Sequence, residues 1–183
     1  SFIFPTGLKF NKLDLEINLE GERSECNVQS ASFLNDNEHQ EVKTRVNHLF
    51  PNCKSYQKVK NVLNADSKGV YQGKIFVKDV AQKTDAYQLS KAILLSEESE
   101  FDSKPELEIY ADDVKCSHGS TSGSLDKESI YYLMTRGLSK KESTKLLVNG
   151  FLNEIADSIK SESIKNFIKT KLENQLLDEY KKH

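Results

Sequence analysis

The feature that most constrains this chain is a change of hydrophobic period near residue 125. Upstream, apolar residues recur at every second position. Downstream, they recur every three or four. Residues 12–19 show the first pattern, with Leu13, Leu15, Ile17 and Leu19 alternating against Lys12, Asp14, Glu16 and Asn18. Successive side chains of a strand point to opposite faces, so this alternation predicts a half-buried strand. Short runs at 41–48, 69–77, 92–95 and 107–110 read as further strands. Turn-type residues separate them: Asn35-Asp36-Asn37, Pro51-Asn52, 66–69 and Ser103-Lys104-Pro105.

Many short strands fit a sandwich, a barrel or a β-helix. Two features lean toward the β-helix. Two-residue Asn-Gly or Asp-Gly hairpin turns are scarce. Polar groups such as Gln82-Lys83-Thr84 and Tyr87-Gln88 sit where successive rungs would stack them. No hexapeptide or nonapeptide repeat is visible, so periodicity favours the β-helix only slightly.

After Leu125 three helices are expected. The first, over 126–136, carries Ile130, Leu133 and Met134 and stops at Gly137, a natural residue for the position after a helix end. Ser139 and Glu142 form a capping box that opens the second, which carries Leu147, Val148, Phe151, Leu152 and Ile155. The third starts near Ser161 and carries Ile164, Phe167, Ile168, Leu172 and Leu176 at helical spacing. Strands followed by helices predict two parts, a β core over 1–124 and a helical domain over 125–183.

Composition removes several function classes. The net charge is −2, and the last 59 residues hold 11 basic and 9 acidic side chains against 15 and 19 in the rest. Neither part is basic enough to grip a phosphate backbone, which argues against nucleic acid. No window approaches 18 consecutive apolar residues, so no membrane helix is expected. Cys26, Cys53 and Cys116 are odd in number and far apart, which argues against a disulfide framework and for a reducing cytoplasm. The stretch 69–73 lacks the Gly-Lys-Ser/Thr ending of a phosphate loop, so no ATPase site is expected. The chain starts at Ser1 without an initiator Met or a basic leader, as an excised portion of a longer protein would.

The chemistry concentrates at the junction. Leu107 and Ile109 share one strand parity, whereas Val114, Cys116 and His118 share the other. A strand cannot change parity without a corner or bulge, and Ala111-Asp112-Asp113 is where it would fall. Past that corner Cys116 and His118 point the same way, about 6.6 Å apart. A thiolate beside an imidazole suits iron or zinc, but two ligands cannot complete a tetrahedral site. By spacing alone the plainer reading, a small buried hydrophobe and a hydrogen-bonded histidine, carries more weight. A Cys–His nucleophile and base pair is a further alternative. Asp112 and Asp113 read as a solvated corner, His48 and Cys53 as structural turn residues, and Tyr71 and Phe76 as strand packing. Cys26 and His39 show no partner.

The run Lys104-Pro105-Glu106-Leu107-Glu108-Ile109-Tyr110-Ala111-Asp112-Asp113-Val114-Lys115-Cys116-Ser117-His118-Gly119-Ser120-Thr121 resembles the signature of the SufB/SufD family of iron–sulfur cluster assembly proteins. Its Cys-Ser-His-Gly form is that of the SufD branch. The resemblance extends through 47–53, 67–77 and 81–88 upstream and through 123–126 and 132–138 downstream, so it covers nearly the whole chain. It implies a mainly β fold, a right-handed parallel β-helix followed by a C-terminal helical domain. It also implies a non-catalytic scaffold that pairs with a SufB-type subunit and docks a SufC-type ATPase through roughly 125–160. The iron–sulfur cluster would form transiently at the subunit interface, with His118 as this chain's contribution and Cys116 beside it, and no cluster held stably by this chain alone. A homodimer in isolation is a further expectation. Competing readings are an architectural module that anchors an ATPase without touching a cluster, and a β-helix enzyme acting on polysaccharide.

Overall fold

The computed structural model describes residues 1–5 and 7–182, with side chains described as far as Leu176. Among the described residues nine strands alternate between two all-parallel sheets. β1 (Phe2–Ile3), β3 (Glu25–Leu34), β5 (Lys54–Leu63), β7 (Asp85–Leu94) and β9 (Lys115–Gly123) form the first sheet in that order. β2 (Phe10–Leu19), β4 (His39–His48), β6 (Lys68–Val77) and β8 (Glu100–Ile109) form the second. The chain switches sheet at every corner, which makes a parallel β-solenoid of about four turns.

Each coil takes about thirty residues. Phe10 pairs with His39 and His39 with Lys68, each step spanning 29 residues, whereas Lys68 pairs with Glu100 after 32. That variation hides the repeat from a search for short identical units. Only the inward positions and the corners are constrained, and they keep chemistry, not identity. The corners do recur. Arg23, Asn52 and Lys83 all adopt positive φ, and their amides donate to Pro51 O, Gln82 O and Asp113 O of the next coil. On the opposite corner, Asn64 Nδ2 donates to Asn35 Oδ1 at 2.9 Å.

The predicted strands over 12–19, 41–48, 69–77, 92–95 and 107–110 are all present, mostly longer than expected. β3 and β5 were not expected. Their inward positions carry Ser30, Ser32, Gln57 and Asn61, all buried, which breaks the apolar alternation. Ser103-Lys104-Pro105 is not a turn but lies inside β8. Pro105 is tolerated there because β8 is the last strand of its sheet.

The helices are α1 (Lys127–Thr135), α2 (Lys140–Ala156) and α3 (Glu162–Lys182). Asp126 caps α1, Gly137 takes φ +96° after its end, and the Ser139–Glu142 capping box opens α2. Val148, Leu152, Ile155, Leu172 and Leu176 pack onto Ala31, Phe33 and Val62, which face outward from the first sheet. Each such side chain stabilises the fold by about 1.5–3 kcal/mol through burial. Lys60, 2% exposed, adds a polar tie. Its Nζ donates to Phe151 O at 3.0 Å, sits 4.3 Å from the Phe151 ring centre and pairs with Glu154, which also pairs with Lys58. The two lysines hold the Glu154 carboxyl down at about 2, while burial depresses the Lys60 ammonium.

The outer face of the second sheet is covered by cross-strand ion pairs: Lys12–Glu41, Lys43–Asp14, Arg45–Glu16 and Lys74–Glu108. Exposed pairs of this sort contribute about 0.2–1 kcal/mol each. They explain how a chain only 37% apolar still covers both faces of a sheet.

Candidate functional site

The solenoid ends where the signature lies. β8 runs into a corner over 110–114, at which Tyr110 N donates to Val77 O and Asp113 N to Gln82 Oε1. The chain then enters the first sheet as β9, paired with β7 alone. The parity change predicted at Ala111-Asp112-Asp113 is therefore a corner between sheets, not a bulge. Asp112 and Asp113 are exposed on it. Both terminal strands leave one edge unpaired among the described residues, so backbone donors and acceptors face outward.

Cys116 is in register with Ala86, and His118 with Gln88. Ala86 and Gln88 are buried inward positions, so Cys116 and His118 occupy the inward parity of the last strand. Among the described residues no further coil covers them. Cys116 is half-buried against the cluster of Ile75, Val77, Ala81, Ala86 and Ala111, and His118 is exposed. The expected pairing of the two on one face is what the register shows, at the open end of the solenoid.

Burial pushes the Cys116 thiol up. The neighbouring Asp85 carboxylate adds to this, and the Ala86 backbone hydrogen bond offsets it only in part. A nucleophilic cysteine needs the opposite shift, which weighs against a Cys–His catalytic pair. A metal ion, by contrast, can draw the proton off a thiol that it binds. Among the described residues, no three His, Cys, Asp or Glu side chains converge as a metal site.

Behind the end lies a buried polar column that sequence reasoning missed. Gln57, Gln88 and His118 follow one another in register on β5, β7 and β9. Thr44 Oγ1 donates to Gln57 Oε1 at 2.5 Å, Tyr71 Oη lies 3.2 Å from Thr44 Oγ1, and Gln88 Nε2 donates to Tyr71 Oη at 3.2 Å. Gly73 makes room, since a Cβ there would lie 1.5 Å from Gln88 Nε2. Tyr71 is therefore more than strand packing. Aligning the chain on a thirty-residue coil would have brought out this row.

The other singled-out residues serve structure. His48 Nε2 lies 2.8 Å from Ser55 Oγ, and burial takes its imidazole down to about 4. Cys53 is buried with its thiol directed at Gly21 O, 3.2 Å away. Cys26 packs beside it, and His39, contrary to the expectation of no partner, lies tilted against the Phe10 ring with its Nε2 3.2 Å from Glu41 Oε1. Phe76 packs outward against Tyr110. A cavity of about 780 Å³ lies between the solenoid and the helices, lined in part by Phe33, Leu94, Leu125, Ile130, Lys140 and Thr144. Tyr131, Tyr132, Met134 and Leu146 form exposed apolar surface on α1 and α2. No helix among the described residues is long and apolar enough to cross a membrane.

The model of the SUF system FeS cluster assembly SufBD core domain matches residues 1–151. The iron–sulfur cluster assembly protein SufD of Escherichia coli (strain K12) is 34% identical over 158 residues, 86% of this chain and 37% of that protein. The iron–sulfur cluster assembly SufBD family protein slr0076 of Synechocystis is 31% identical over 84% of this chain and 34% of its own length. The SufD of Plasmodium falciparum is 30% identical over 86% of this chain and 11% of its own. The chain thus spans about a third of the length of the first two relatives.

Proposed function

The chain belongs to the SufBD family of the SUF iron–sulfur cluster assembly system, and from that premise we propose that it is the scaffold-forming C-terminal portion of a SufD-type subunit. In this reading it pairs with a SufB-type subunit through the open end of the solenoid. The observation that carries the reading is the position of Cys116 and His118, on the inward parity of a strand that no other described strand stacks above.

A strand with one free edge takes another strand by backbone pairing. A second solenoid brought against this edge would cover His118 and Cys116 and supply the ligands they lack. His118 is the stronger candidate ligand, because a neutral imidazole offers its lone pair without losing a proton. The cluster in this scheme is cargo, formed transiently between chains. In the absence of the SufB-type partner, the same edge supports a homodimer. A SufC-type ATPase docks on the helical part, where Tyr131, Tyr132, Met134 and Leu146 offer aromatic and thioether surface suited to a protein partner. The role is non-enzymatic and belongs in a reducing cytoplasm, as three free cysteines suit.

The polysaccharide reading gains nothing from the fold. The carboxylates on the second sheet's outer face stand beside lysines and arginine, and Lys12 and Lys74 hold Glu41 and Glu108 down. A glycosidase acid needs its carboxyl raised.

The test replaces His118 by Ala in the full-length protein co-expressed with its SufB- and SufC-type partners. We expect an intact complex that loses at least tenfold of its assembled cluster, read by absorbance and iron content. An intact complex with unchanged cluster would leave only the architectural reading. Tyr132→Ala combined with Met134→Ala should weaken ATPase co-purification without altering the cluster-forming end.

A further inference from the structure

We propose that Gln88 is a positioning residue for His118, holding its imidazole in one tautomer so that the free lone pair points out of the solenoid end. This inference rests on the reading of His118 as a cluster ligand and goes beyond it.

Gln88 is 1% exposed. Burying an amide is costly unless its groups are paired. One side of this amide is fixed. Thr44 Oγ1 donates to Gln57 Oε1, and Tyr71 Oη approaches the same oxygen. The Gln57 oxygen therefore faces Thr44, whose proton it accepts. Tyr71 Oη then gives its own proton to Thr44 Oγ1, at 3.2 Å, or to Gln57 Oε1, at 3.4 Å. In either case its oxygen is left to accept, and the group it accepts from is Gln88 Nε2. With the amide turned this way the contacts of Tyr71 Oη with both Thr44 and Gln88 are hydrogen bonds; turned over, Tyr71 would give its proton to Gln88 and leave its contact with Thr44 unmade.

The other side of the amide is Gln88 Oε1. It is buried and has no hydrogen-bond partner within the chain. Its two neighbours along the row are Gln57 on β5, whose Nε2 is also buried without a partner, and His118 on β9, both in direct register. Parallel strands lie about 4.8 Å apart, so an imidazole N–H turned toward Gln88 comes within hydrogen-bonding reach of its side chain. Gly73 prevents the amide from being crowded out, since any side chain there would overlap it. A carbonyl acceptor fixed on one side of a histidine selects the tautomer that donates to it. The remaining ring nitrogen is then left as an acceptor for metal, which is how outer partners orient metal-binding histidines. In the isolated chain His118 is exposed, and the contact forms as the partner covers the end.

The experiment uses the full-length protein in complex with its SufB- and SufC-type partners. Imidazole nitrogen shifts of selectively labelled His118 at pH 8 report the tautomer. The expected result is one dominant tautomer in the native protein, a mixture in Gln88→Leu, and a single tautomer again in Gln88→Glu, which keeps the acceptor. Cluster yield in Gln88→Leu should fall about tenfold, the lower end for loss of such a partner. Tyr71→Phe, which leaves the acceptor in place but frees the amide, should give an intermediate mixture and shows the effect without a volume change. An unchanged tautomer population in Gln88→Leu overturns the proposal, even where cluster yield falls, because the loss then follows from folding alone. Retention of cluster in His118→Ala instead overturns the ligand reading, and the tautomer measurement still decides whether Gln88 holds the ring.

Discussion

Gln88 and His118 stand one above the other in the same row, on neighbouring strands of the same sheet. Gln88 is sealed and fully committed on one side, while His118 is open to solvent. The backbone geometry is the same at both positions. Only the presence or absence of a further coil differs. In a solenoid, each coil is core for its neighbours except at an end. The middle coils therefore turn many of their polar groups toward one another, whereas the inward face of the last strand meets solvent at His118. The same contrast separates Cys53, sealed at a middle corner, from Cys116, half-buried near the start of the last strand.

That contrast can be broken first at Gly73. Gly73→Ala places a Cβ on Gln88 and within 2.5 Å of Tyr71 Oη. Overpacking together with loss of a buried hydrogen bond should cost about 4 kcal/mol, measured by denaturant unfolding. A cost under 1 kcal/mol would mean that the middle coils are looser than they look.

His48 gives the next effect. Its imidazole titrates at about 4 when folded, against about 6.5 when unfolded, because burial disfavours the charged form. The unfolded chain therefore binds more protons between these values, and stability falls as pH drops through that window. The loss should approach roughly 3 kcal/mol by pH 4, because each tenfold difference in proton affinity between the two states is worth about 1.4 kcal/mol. His48→Gln should flatten this part of the curve, and a slope shared by both proteins would assign the loss elsewhere.

Smaller effects belong to the open end. Gly119, on β9, would put a Cβ 3.3 Å from the flexible tip of Leu89, so Gly119→Ala should cost less than about 1 kcal/mol. His118→Ala should change stability by no more than about 0.5 kcal/mol, as exposed positions usually do. A large loss at either would show that the end is already part of the folded core before any partner binds.

The residues themselves carried much of this outcome. The period change near 125, the Ser139–Glu142 box, the Gly137 stop and the corner at 111–113 are local signals, and each appears where the chain chemistry puts it. The resemblance carried by Lys104 to Thr121 reached the family directly. The strands β3 and β5 were not legible, because a solenoid interior accepts serine, asparagine and glutamine wherever a neighbouring coil supplies the hydrogen bonds. Ser103-Lys104-Pro105 misled for a related reason, since proline is barred from a central strand but not from an edge. What determines an edge is the count of coils, which no window of residues contains.

The sequence by itself thus determined strands before helices, the caps, and Cys116 and His118 on a common face. Only the tertiary structure decided that this face closes a row begun by Gln57 and Gln88, and that the row ends in the open. Register across coils depends on contacts between residues about thirty apart, and exposure depends on whether another coil follows. Neither is a property of any single segment.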